Sequence, residues 1–306
     1  MAEQQTSDRK GLRLRPAPPK EFDPFAASTA DLHRHGLPLR PDPQTQPGMA
    51  ALWDRQARRY RGFEHVEPRA DTATAGQGHT EPRADTAIDE RPTEAGSRPA
   101  PVPALGPAPI ESCGYSLTSL SAPFTALFVT WTVPDLHFSA SALGLNRFHT
   151  FVGLGFLDVH VEMTVDSAQN VTSQLWAQGV GQVGLSVRPG DVLSGSLCLD
   201  TKPPGTAHYF LANETTAQTM NFTVDTGYPP AVTVDMGVTR DDLNQPAHPL
   251  AGFGVVYFDE ISIYTTGGGR LLPSGQAITM VDERGRTLAR PYLLNDFACK
   301  VVFVAA

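Results

Sequence analysis

From Ser112 onward the hydrophobic residues of this chain recur with a period of two, in short runs separated by turn-forming clusters. That period puts alternate side chains on opposite faces, which suits a strand and not a helix. The runs FTALFVTWTV, RFHTFVGLGF, LDVHVEMTV, VTSQLWAQ, VGLSV, DVLSGSLCLD, AHYFLAN, TMNFTV, AVTVDM, FGVVYFDEISIY, AITMVD and FACKVVFVA are expected strands. RPGD, KPPGT and TGGG supply turns between them. No helical pattern interrupts this region. Many strands with short connections predict an all-β fold, a two-sheet antiparallel β-sandwich over residues 111–306.

The preceding residues read differently. In FAASTADLHRHGLP, Ser28 stands three before Asp31 as an N-cap pattern, and Gly36 with Pro38 supplies the stop. In QPGMAALWDRQARRYRG, Pro47 opens and Gly62 closes a run whose Met49, Leu52, Trp53, Ala57 and Tyr60 form one apolar face. Two such helices within residues 1–63 cannot build a core of their own, so they dock on the sandwich or stay mobile. Residues 64–110 are rich in Pro, Ala and charge and carry the element EPRADTA twice, at Glu67 to Ala73 and Glu81 to Ala87. Such a composition buries too little to offset its ordering entropy and predicts a disordered linker.

The net charge is −8. The N-terminal residues are basic and the linker acidic by equal amounts, so the sandwich carries the whole excess. An acidic surface repels phosphate backbones, and no nucleic-acid partner is expected. MAEQQTSDRKGLRLRP has no apolar stretch after its charges, and no run approaches the ~20 apolar residues of a membrane span. The expectation is a cytoplasmic protein, or one exported without a leader, with no membrane partner. Cys113, Cys198 and Cys299 lie far apart without metal-ligand spacing and are expected to be buried, reduced thiols. VGLG contains a GxG but no helix follows it, which excludes a dinucleotide loop, and no GxSxG elbow marks a serine hydrolase. No cofactor is expected.

Several phrases stand in a set order: TWTVPDL (Trp131, Val133, Pro134), FVGLG (Phe151 to Gly155), MTV (Met163 to Val165), LWAQ (Leu175 to Gln178), VRPGDVL (Val187 to Leu193), LANETT (Leu211 to Thr216) and LAGFGVVYFDEIS (Leu250 to Ser262). Together, over about Thr125 to Thr265, they resemble the glutamic peptidases, the eqolisin family. The resemblance implies a concanavalin A-like sandwich, in agreement with the strand pattern. It further implies an acid endopeptidase in which a glutamine and a glutamate activate water. Counting back from MTV puts Asp158 at the glutamine position. Ungapped counting from Phe253 puts Asp235 at the glutamate position. Matching by apolar pattern puts Ala231 there instead, and the ungapped register is preferred. The family's further acid falls on Gln178 and its exposed aromatic on Phe151. Neither member of the defining pair is retained, and the loop between the aromatic strand and the next is missing here. Aspartates facing each other at ~3 Å would share a proton, as in aspartic proteases.

Asp158, His160 and Glu162 alternate with Leu157, Val159, Val161 and Met163 and so share one face. That face is either the floor of a groove or the wet side of a sheet. His160 and Glu162 alone are two ligands, so no metal is expected. Three function classes follow. One is an acid endopeptidase with Asp158 and Asp235 catalytic and Gln178, His160, Glu162, Phe151 and Trp176 lining the groove for a peptide or protein substrate. Another is a non-catalytic module that binds a peptide or, through Trp176, Trp131 and Tyr209, a glycan. The third is a structural scaffold. The oligomeric state is not legible. The N-terminal segment would serve as a docking tag or as a propeptide-like cover over the groove.

Overall fold

The computed structural model describes residues 12–66, 110–139, 144–201, 204–225, 229–240 and 249–304. It opens with β1 (Leu12–Leu14), α1 (Thr29–Arg34), α2 (Pro47–Gly62) and β2 (Glu64–His65). The sandwich follows: β3 (Ser112–Thr118), β4 (Phe124–Thr132), β5 (Leu145–Leu154), β6 (Leu157–Asp166), β7 (Val171–Ala177), β8 (Gly181–Gln182), β9 (Val192–Thr201), β10 (Pro204–Asn213), β11 (Gln218–Asp225), β12 (Thr233–Thr239), β13 (Val255–Thr265), β14 (Gly268–Arg270), β15 (Gln276–Ile278), β16 (Met280–Val281), β17 (Thr287–Asn295) and β18 (Ala298–Phe303).

These strands form two sheets. The larger runs β1-β11-β10-β9-β4-β13-β18-β17-β16, with β14 on β13 and β2 on β11; the smaller runs β15-β3-β12-β5-β6-β7-β8. All pairings are antiparallel except β2 with β11. The alternation that defines β6 in sequence is its burial pattern in space: Leu157, Val159, Val161, Met163 and Val165 are buried, and the residues between them are partly exposed. The inward sets of both sheets make one core around Trp131, Phe148, Val152, Tyr209, Phe222 and Phe258. Trp131 spans the layers, its indole N–H donating to Thr150 Oγ1 at 3.1 Å. Gly195 makes room for that ring: a Cβ there would stand 3.1 Å from it.

All of the expected strands except VGLSV are present, with ends shifted by up to three residues, and two short strands are added: β8, and β14, which begins within the expected TGGG turn. VGLSV (183–187) is irregular chain, although Val183, Leu185 and Val187 are buried. AITMVD is two strands, β15 in the smaller sheet and β16 in the larger, because the chain crosses between layers there. Strand β3 escaped notice because Gly114 interrupts its pattern. Gly114 and Gly237 face each other across β3 and β12, where a Cβ on either would lie 2.0–2.1 Å from a neighbouring carbonyl oxygen. Strand β17 escaped because Pro291 sits within it.

Both helices form where the caps placed them, and Ser28 accepts from the Asp31 N–H. The N-terminal segment also supplies two strands, β1 and β2, to the larger sheet, so Glu64 and His65 are strand rather than linker. The rest of the expected linker, residues 67–109, lies outside the described residues. The helices dock on the outer face of the larger sheet, where Leu32, Leu37, Trp53, Ala57 and Tyr60 pack with Phe210 and Ala212. Small outward residues on β9, Ser194, Ser196 and Cys198, open the space, with Phe210 and Phe128 on either side of Ser196. The guanidinium groups of Arg55 and Arg59 stand 5.3 and 5.2 Å from the centre of the Phe128 ring. Arg59 pairs with Glu214 at 2.5 Å and Glu260 at 2.8 Å. Burying Trp53 and Tyr60 contributes about 2–3 kcal/mol each. The segment therefore covers the sheet opposite to the one that carries Asp158. It is not a lid over that face.

Candidate functional site

Pairing on either side of β5 builds the site. Gly153 pairs with Asp158 of β6 and, on its other edge, with Asp235 of β12. Directly opposed residues on antiparallel strands point to the same face, so both aspartates flank Gly153 on the outer face of the smaller sheet. The row continues through Ser116 on β3 to Gln276 on β15. Two strand spacings, about 9–10 Å, separate the aspartate Cα atoms. Glycine therefore floors a notch between the two carboxylates, and the side-chain contact of Asp158 is with His160 rather than with Asp235. A Cβ built on Gly153 would meet nothing nearer than 3.5 Å.

Asp158 and Asp235 are both partly buried. The Nδ1 of His160 lies 2.6 Å from Asp158 Oδ2, the natural contact of residues two apart on one strand face. The His160 ring lies parallel to those of His149, 5.6 Å away, and Trp176, 6.3 Å away, each within 7°. His160 pairs with Phe151 on one side and Trp176 on the other. Glu162 stands one row further on, between His149 and Gln174. The Trp176 indole N–H is buried without an acceptor among the described residues.

Phe151, His160, Glu162 and Trp176 thus share the outer face with the two aspartates. Gln178 ends the row, its backbone N–H donating to the Asp158 carbonyl at 2.9 Å. Ala231 stands apart, buried beneath the β5–β6 turn with its Cβ 2.8 Å from the position a Cβ on Gly155 would take. Sequence reading missed Gly153, Ser116, Gln276 and His149. Only Gly153 left a signal, in the GLG phrase that the absence of a following helix had set aside. Among the described residues no three metal-ligating side chains converge, and no helix is long and apolar enough to cross a membrane.

A two-sheet antiparallel sandwich with acidic residues in register on the outer face of its smaller sheet has the architecture of a β-sandwich peptidase. The family model described as the Peptidase A4 family matches residues 111–301, and the chain belongs to that family. Among solved structures it is similar to scytalido-glutamic peptidase with a peptide-based transition-state analogue. There the identity is 12%, with 63% of this chain and 98% of that one covered and a TM-score of 0.50. It is also similar to SCP-B, a member of the eqolisin family of peptidases, in complex with the tripeptide Ala-Ile-His. That match has 14% identity, the same coverage and a TM-score of 0.50. At these identities the likeness shows the fold. No curated protein matches the chain.

Proposed function

We propose that this chain is a divergent acid endopeptidase that activates water in the notch between Asp158 and Asp235. The supporting observation is their shared row with a bare glycine between them, which leaves room for a water where adjacent aspartates would share a proton. In this reading Asp158, held by His160, takes the proton of the attacking water, and Asp235 protonates the substrate. An extended peptide crosses the strands over Gly153, and Phe151 and Trp176 contact its side chains. A second reading, peptide capture without turnover, draws on the unpartnered Trp176 N–H, a donor suited to a peptide carbonyl.

The test is cleavage of a denatured protein between about pH 3 and 4, within the carboxylate range. Asp158→Asn and Asp235→Asn should each lower the rate by at least about 100-fold while leaving the melting temperature within a few degrees. A wild-type protein that binds peptides but cleaves none establishes the second reading in place of the first.

A further inference from the structure

The outer face of the larger sheet holds a thiol that neither the core nor the groove uses. Cys198 on β9 points toward the N-terminal segment, directly opposite His208 on β10 and beside Ala126 on β4. Its Sγ lies 3.5 Å from Ser196 Oγ. The Nε2 of His208 is 3.1 Å from Asp200 Oδ2, at an angle that makes no hydrogen bond. Gly36, Leu37, Pro38 and Gln56 close this cluster from the other side and leave a cavity of about 10 Å³, room for one water. Gln56 is 4% exposed, and its amide nitrogen, on the wall of that cavity, has no acceptor among the described residues.

We propose that Cys198 is a modification site gated by the N-terminal segment: its thiol exchanges with small disulfides when α2 lifts from the sheet, and the resulting adduct holds the segment off. Size is the first reason. Cys198 is partly exposed, but the cavity between it and the N-terminal segment holds no more than a water, so an adduct of several heavy atoms directed into it displaces that segment. The second is reactivity. Burial, reinforced by the Asp200 charge, pushes the Cys198 thiol up and keeps thiolate scarce while the segment is docked. Lifting α2 removes the burial and leaves the sulfur beside an imidazole. The third is that the docking includes separable polar contacts beside its apolar cluster, among them Arg59 with Glu214 and Glu260.

In the exchange the Cys198 thiolate attacks one sulfur of the disulfide. A new S–S bond forms as the old one breaks, and the departing thiolate takes up the proton that Cys198 lost. Cys198 is oxidised and the departing sulfur is reduced.

Cys113 and Cys299, buried in the sandwich core, are internal references for global opening. The experiment treats the native full-length chain with 5,5′-dithiobis(2-nitrobenzoate) at neutral pH and follows each cysteine by peptide mass. Cys198 should react more slowly than a free thiol and faster than the two core cysteines. Arg59→Gln should speed Cys198 by at least about tenfold, the equivalent of 1.4 kcal/mol, without moving the other two. In the adduct, amide exchange in α2 should rise. Trp53→Ala serves the same purpose if Arg59→Gln does not fold. The proposal is overturned if Cys198 reacts as a free thiol in the wild type, if all three cysteines react together, if neither variant changes the rate, or if α2 stays protected in the adduct.

Discussion

Gly153 separates the two aspartates, so Gly153→Ala perturbs the notch while leaving both carboxylates in place. A methyl there would lie 3.5 Å from the Leu157 carbonyl oxygen and 3.8 and 3.9 Å from the backbone oxygen and Cβ of Asp235. These are ordinary contacts, and Gly153 is not among the residues with positive φ. The substitution therefore costs nothing sterically. It restricts the unfolded chain, and stability should rise by about 0.4–1 kcal/mol, a gain of roughly 1–4 °C in Tm for a domain of this size. Activity should move the other way. The methyl stands where the water would rest, and a displacement of about 1 Å at the reacting atoms costs on the order of 100-fold in rate. Thermal denaturation and acid hydrolysis of a denatured protein, measured on one preparation, separate the two effects. A stable variant that cleaves within about threefold of wild type, far short of the loss expected from a 1 Å shift, would refute the placement of the water over Gly153. A variant that fails to fold would refute the reading of the notch as open space.

Gly237→Ala should behave oppositely, because its Cβ would lie 2.1 Å from the Cys113 carbonyl oxygen; a loss of about 1–3 kcal/mol is expected from the urea midpoint. Trp53→Ala removes a buried ring and the 2.7 Å bond from its N–H to the Pro38 carbonyl. It should weaken docking of the N-terminal segment by about 3–5 kcal/mol, seen as faster amide exchange in α2 with the sandwich unchanged. Docking should also loosen in acid. Burial pushes the Glu260 carboxyl up, but Arg59, Thr130 and Arg55 outweigh it and hold it below its ordinary value of 4.5. Its contribution is complete above that value and disappears as the pH falls below it. Limited proteolysis of residues 12–66 at graded pH should accelerate in that window, and a flat profile would count against the Arg59 network as the latch.

Local pattern determined a good deal by itself. Alternation determined that this chain is a sandwich and which face of β6 carries Asp158, His160 and Glu162, because a strand's two faces are read from neighbours in sequence. Caps determined both helices for the same reason. The order of phrases determined the family. Tertiary structure decided the rest. That Gly153 lies between Asp158 and Asp235 depends on register across three strands, and Asp235 is about eighty residues from its partner in the chain. Glycine and proline hid β3 and β17, whose places come from the strands beside them and not from their own alternation. The docking of α1 and α2 on the larger sheet, away from the face that carries Asp158, was decided by small residues on β9 and an arginine pair over Phe128. A row assembled from five strands, three of them far from the β5–β6 hairpin in sequence, has no local signature, because its shape exists only once the sheet has formed.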